Sequence, residues 1–144
     1  MEKQIKIQDK LLINIGETYI VFSFENEDEE KNYQNENQLN IKVFSGEEKC
    51  DSFNFDFFSH PTILIGRNVS CDVYIKDRML SRVHCYVYYE DNDDEKKRGW
   101  YLKDGNLEGK KSTNDTWFYS ADDTLITDGM VFKTNHNLFR CLLK

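Results

Sequence analysis

From Leu39 to the end of the chain, short β-rich runs follow one another at close, regular spacing, and turn formers stand between them. The runs are Leu39 to Phe44, Phe53 to Phe58, Thr62 to Ile65, Val73 to Ile75, Val83 to Tyr89, Trp100 to Leu102, Trp117 to Tyr119, Leu125-Ile126, Met130 to Lys133 and Leu138 to Leu143. Turn signals stand at Gly46, Asn92, Gly105 and Asp128-Gly129. Phe53, Phe55 and Phe57 alternate with polar residues, which marks a strand with one buried face. Many short strands separated by turns close into a sandwich or a barrel. Composition agrees: ten Phe, eight Tyr and two Trp stand against a single alanine, and aromatic and β-branched side chains pack best on a pleated surface. The expected class is all-β. The chain's 144 residues suffice for a core that needs neither disulfides nor metals.

Ahead of Leu39, Leu11-Leu12-Ile13 and Thr18 to Phe24 are two further β-rich runs on either side of Gly16-Glu17, enough for an additional hairpin. Glu25 to Gln38 is acidic and amide-rich, with too little apolar surface to offset its ordering entropy. The expected division is therefore an N-terminal part, residues 1–36, of extra strands and acidic linker, followed by a β domain over 37–144.

The chemistry concentrates between Ile63 and Cys85. The aliphatic run Ile63-Leu64-Ile65 stops at Gly66-Arg67, a short run from Asp72 to Ile75 follows, and Ser81-Arg82-Val83-His84 opens a third. Arg67 and Ser81-Arg82 are thus expected at the ends of strands. A guanidinium presents a planar fork of donors that matches a phosphate, and a hydroxyl beside a second arginine adds a donor and more positive charge. Such a set binds a phosphate without metal or nucleophile.

Gly66-Arg67, then Ser81-Arg82-Val83-His84 with its serine fourteen residues after Arg67, then Ser112-Thr113-Asn114-Asp115-Thr116 together resemble the forkhead-associated (FHA) domain, a β-sandwich of two mainly antiparallel sheets that binds phosphothreonine peptides. The resemblance extends over roughly Leu39 to Lys144, so the N-terminal strands lie outside it. It implies that Arg67 and Ser81 bind the phosphate, that Arg82 adds charge, that Thr113 holds the binding loop and that Asn114 bonds the backbone of the bound peptide. Gly66 and His84 are architectural on this reading, His84 tying adjacent loops together. Met79, Lys110, Lys111 and Asp115 are candidates for peptide selectivity. The family usually has glycine after the asparagine, where a positive φ and a close approach of ligand are needed; Asp115 tolerates that backbone but brings a negative charge toward a dianion.

The implied partner is a phosphothreonine-containing protein or peptide, and no cofactor is implied. A second reading keeps the same fold as a phosphate-independent scaffold or subunit of a larger assembly. Nucleic acid is a poor partner: the formal charge is −7, with four Lys against nine acids in residues 1–36 and fifteen Lys and Arg against seventeen acids in 37–144. Affinity for nucleic acid depends on several cations neutralising phosphates, and no basic stripe occurs. No apolar run approaches the ~20 residues of a membrane span. Cys50, Cys71, Cys85 and Cys141 lack C-x-x-C spacing and read as reduced thiols. These features lead to the expectation of an intracellular protein, nuclear or cytoplasmic.

An enzyme is not expected. Ser81 and His84 are three apart, a spacing that points side chains to opposite faces of a strand, and no nucleophile elbow accompanies them. Gly105 to Ser112 has three residues between its glycines where a P-loop has four, and its flanks read as strands. His60 and His136 are isolated.

Overall fold

The computed structural model of the chain describes residues 4–24, 36–46, 49–120, 123–134 and 137–144. Twelve strands occur among them, and no helix: β1 (Gln4–Lys6), β2 (Leu11–Ile15), β3 (Thr18–Ser23), β4 (Gln38–Phe44), β5 (Cys50–Asp56), β6 (Thr62–Gly66), β7 (Val73–Tyr74), β8 (Cys85–Glu90), β9 (Gly99–Asp104), β10 (Thr116–Phe118), β11 (Val131–Thr134) and β12 (Asn137–Arg140). One five-stranded sheet has the order β1-β9-β8-β6-β7, a second has β10-β2-β3-β4-β5, and β11-β12 form a separate hairpin. Among the described strands only β6 and β7 pair parallel. The all-β class expected from the run spacing, and the sandwich that the resemblance implied, are the observed fold, with β11-β12 paired only with each other.

Alternation decides which residues meet between the sheets. Ile13, Ile15, Ile20, Phe22, Leu39, Ile41 and Val43 come from one sheet and Ile63, Ile65, Val73, Cys85, Val87, Trp100 and Leu102 from the other, and all belong to one buried cluster. Fully burying side chains of this size is worth about 1.5–3 kcal/mol each relative to exposure. The Trp100 indole N–H, buried with its ring, donates to the Glu36 carbonyl at 3.0 Å.

The N-terminal strands are not an appendage. β2 and β3 lie between β10 and β4, in the middle of the second sheet, and Ile13, Ile15, Ile20 and Phe22 are wholly buried. A division at residue 36 runs through this sheet, because β3 pairs with β4 from Tyr19↔Phe44 to Ser23↔Asn40. Most of the acidic stretch expected as a linker, residues 25–35, lies outside the described residues, as does His136; Gln38 already begins β4.

Two further expectations change. Ser81 to His84 does not open a strand; regular pairing begins at Cys85, because the His84 ring captures the Ser81 N–H at 3.2 Å and folds the segment into a turn. Leu125-Ile126 forms no strand either, and Leu125 is 85% exposed.

Candidate functional site

The loops at one end of the sandwich bring the predicted residues together. Arg67 follows the last residue of β6, Gly66, whose missing Cβ leaves room for the Arg82 carbonyl and the Val83 backbone that a methyl group would strike. This close approach lets Arg67 N donate to Ser81 O at 3.2 Å and Asn68 N to Arg82 O at 3.0 Å. The Arg67 side chain is then fixed by its own Nε, which donates to Leu80 O at 2.7 Å. Its two terminal nitrogens have no partner among the described residues. One bond therefore orients the guanidinium, and the outer edge of the fork makes no bond among the described residues.

Ser81 and Thr113 meet across the two loops. Thr113 N donates to Ser81 Oγ at 3.0 Å, and Ser81 Oγ donates to Thr113 Oγ1 at 3.3 Å. Asn114 Nδ2 donates to Met79 O at 2.7 Å. Arg67, Ser81, Thr113 and Asn114 are thus linked through the segment Met79 to Ser81. Arg82, Lys110 and Lys111 are exposed, and among the described residues none of these cations, nor Arg67, forms an ion pair. These four cations face water on loops that also carry the acids Asp77, Glu108 and Asp115.

His84 explains how the loops are held. It is wholly buried; its Nδ1 accepts the Ser81 N–H, and its Nε2 lies 3.0 Å from the Asp115 carbonyl. A carbonyl only accepts, so Nε2 carries the proton and the ring is the neutral tautomer with both nitrogens satisfied. Ser81 Oγ is turned toward Thr113 and not toward the imidazole, so the pair is not arranged as nucleophile and base.

Asp115 has φ of +56°, the left-handed conformation that glycine takes without cost and that aspartate tolerates better than most residues. The position expected to require positive φ does so in this chain. The carbonyl that this backbone presents is the one His84 holds.

Two carboxylates missed by sequence reasoning anchor the loops. Asp104 Oδ1 accepts from Ser112 Oγ at 2.6 Å and from Thr116 Oγ1 at 2.7 Å, while its Oδ2 accepts from Ser112 N at 3.1 Å. One side chain therefore pins both ends of Thr113-Asn114-Asp115. Asp77 Oδ1 accepts from Met79 N at 2.8 Å, and its Oδ2 accepts from Glu17 N at 2.9 Å and Thr18 Oγ1 at 3.0 Å. The β2–β3 turn is thereby tied to the Met79–Ser81 segment. Gly16 (φ +55°) belongs to the same contact, since a Cβ there would lie 2.8 Å from Asp77 Oδ2 and 2.9 Å from Met79 Cβ. Aspartate two residues before Met79 is a turn signal in any sequence; nothing local shows that its partner lies 59 residues away.

Among the described residues no group of His, Cys, Asp and Glu side chains converges to hold a metal ion, and no helix is long and apolar enough to cross a membrane. The arrangement offers hydrogen-bond donors and positive charge on a rigid frame, which suits binding.

A family model described as FHA domain matches residues 63–133. The match covers Gly66-Arg67, Ser81 to His84, and Thr113-Asn114, and begins after β1 to β5. No curated protein and no solved structure matches the chain.

Proposed function

Since this chain carries an FHA domain over residues 63–133, we propose that it is an interaction module that binds phosphothreonine-containing proteins through the loops after β6, before β8 and before β10. FHA domains are phosphopeptide-binding interaction modules rather than enzymes. The observation that carries the reading is the Arg67 guanidinium, oriented by the Leu80 carbonyl beside the Ser81–Thr113 pair. Arg67 and Ser81 bind the phosphate, Arg82, Lys110 and Lys111 supply positive potential, and Asn114 bonds the peptide backbone. A phosphothreonine carries about −1.5 to −2 charge at neutral pH with three strong acceptors, and each charge-assisted hydrogen bond contributes about 1.5–3 kcal/mol.

The test is retention of a degenerate phosphothreonine peptide library by the wild-type protein and by Arg67→Ala, with phosphoserine and unphosphorylated libraries as controls. Wild type retains the phosphothreonine library selectively, and Arg67→Ala weakens retention at least about tenfold, equivalent to roughly 1.4 kcal/mol. Equal, negligible retention by two folded proteins overturns the reading. The Asp115 carboxylate near the incoming dianion favours a second reading, a phosphate-independent scaffold or assembly subunit, and that result would support it.

A further inference from the structure

The C-terminal hairpin has no third strand. β11 and β12 pair only with each other, and all eight of their residues are exposed. A two-stranded hairpin is marginal in water by itself, and a further strand or a packed face is what stabilises it. β11 has part of that support. Met130 to Lys133 line a groove of about 720 Å³ beside Met79 and Tyr19, where Lys133 Nζ donates to Asn14 Oδ1 at 3.3 Å and stands 5.8 Å from the centre of the Trp117 ring. β12 does not line that groove, and no other strand among the described residues pairs with it. Its outer edge therefore presents a row of N–H and C=O groups on which an added strand can form.

The two faces of the hairpin differ. The register sets Phe132 opposite Phe139 and Thr134 opposite Asn137 on one face, and Val131 opposite Arg140 and Lys133 opposite Leu138 on the other. The two phenylalanine rings stack with centroids 5.1 Å apart, and Phe139 is 46% exposed. Leu142 and Leu143, just beyond β12, are exposed as well. A strand laid along β12 meets an aromatic ring on one face and a guanidinium on the other.

Charge selects the occupant. Residues 129–144 contain Lys133, Arg140 and Lys144 and no acid, a formal +3, whereas the rest of the chain carries the other sixteen Lys and Arg against all twenty-six acids, −10. Arg140 forms no ion pair among the described residues. A second copy of the hairpin would set +3 against +3, and like charges on adjacent strands are destabilising. A lipid surface cannot pair a strand edge, and an anionic one would repel the −10 of the remaining chain. An acidic strand meets neither obstacle.

We propose that the outer edge of β12 accepts an extended partner segment in which acidic and apolar residues alternate. Its backbone pairs with Asn137–Arg140, its apolar side chains lie beside Phe139 and its carboxylates beside Arg140. This surface shares no residue with the Arg67 and Ser81 loops and requires no phosphate.

The experiment is isothermal titration of the full chain with a short unphosphorylated peptide of alternating valine and glutamate. One control peptide has lysine in place of glutamate, and another is N-methylated at every residue so that neither edge can donate. Wild type binds the glutamate peptide at least about fivefold more tightly than the lysine peptide, the upper range for one cross-strand charge pair, and does not bind the methylated one. Arg140→Glu, an exposed change whose unchanged thermal midpoint verifies folding, weakens binding by a similar factor. In wild type, amide hydrogen exchange over Asn137–Arg140 slows when the glutamate peptide is added. Absence of binding, equal affinity for the three peptides, or binding without protection of β12 overturns the proposal. Attachment to phosphatidylserine vesicles, or dimerisation in sedimentation, in place of peptide binding overturns it as well, assigning the hairpin to a lipid surface or to a second copy.

Discussion

The Asp77 carboxylate accepts the Thr18 hydroxyl at 3.0 Å, joining the first hairpin of the chain to the loop that carries Met79 and Ser81. Thr18 is buried, and the same Oδ2 also receives Glu17 N. The loop that carries Met79 and Ser81 is therefore braced from outside the matched family region.

Asp77→Ala should lower stability by about 1–3 kcal/mol, because Thr18 Oγ1 and two backbone N–H groups lose their acceptor. Phosphothreonine binding should weaken with it, since Arg67 is oriented by the carbonyl of Leu80 in the same loop. Chemical denaturation and peptide titration on one preparation check both. Unchanged affinity in a destabilised protein would show that the brace serves the fold alone.

Removal of residues 1–36 should abolish cooperative unfolding. It strips β10 of its sheet partner β2 and β4 of one of its two partners, and takes Ile13, Ile15, Ile20 and Phe22 out of the core. Each of these apolar side chains accounts for several kcal/mol against a total stability of about 5–15 kcal/mol. A thermal melt of the truncated chain decides it: a sharp transition with retained strand signal would mean that residues 37–144 fold alone.

His84→Ala should cost roughly 1–3 kcal/mol, as the Ser81 N–H and the Asp115 carbonyl lose their shared partner. Arg67→Ala, at an exposed position, should leave the unfolding midpoint nearly unchanged. Equal midpoints for wild type and the histidine variant would remove the architectural role.

Asp115→Gly should tighten phosphothreonine binding. Glycine adopts the +56° φ freely, keeps the carbonyl that His84 holds, and removes a negative charge from the approach of the dianion. Isothermal titration at low and high salt tests the charge contribution, and the gain should shrink as salt rises.

Burial pushes the Cys85 thiol well above its ordinary value of 9.0, with the Asp104 charge adding to the rise, and burial raises Cys71 less strongly. Above pH 9 the unfolded chain gives up these protons while the native state keeps them, so stability, fully present below about pH 9, declines as pH rises further. The thermal midpoint should fall from pH 9 upward, and less steeply in Cys85→Ala. In the native protein a thiol reagent should modify exposed Cys50 before buried Cys85.

Much of this protein was legible in its residues. The alternation of Phe53, Phe55 and Phe57 and the turn-spaced runs specified strands with one buried face, because side-chain direction on a strand repeats every two residues. Gly66-Arg67, Ser81, His84 and Asn114 stood out because three short motifs, in order and each at the edge of a strand-like run, resemble the FHA pattern; taken singly, Arg67 and Ser81 read as turn residues at strand ends. The positive φ at Asp115 was implied by the same resemblance, which usually has glycine after the asparagine. What pairs with what was decided only by the tertiary structure. Residues 11–23 read as an accessory hairpin because β pairing is non-local and leaves no mark in either partner, yet they became the middle of a sheet. Asp77 and Asp104 are ordinary turn acids until folding brings Thr18 and Thr116 to them, and the groove beside Met79 exists only where three distant segments meet. Composition and period act along the chain, whereas a carboxylate's partner and a cavity's walls depend on the distances that the closed fold sets.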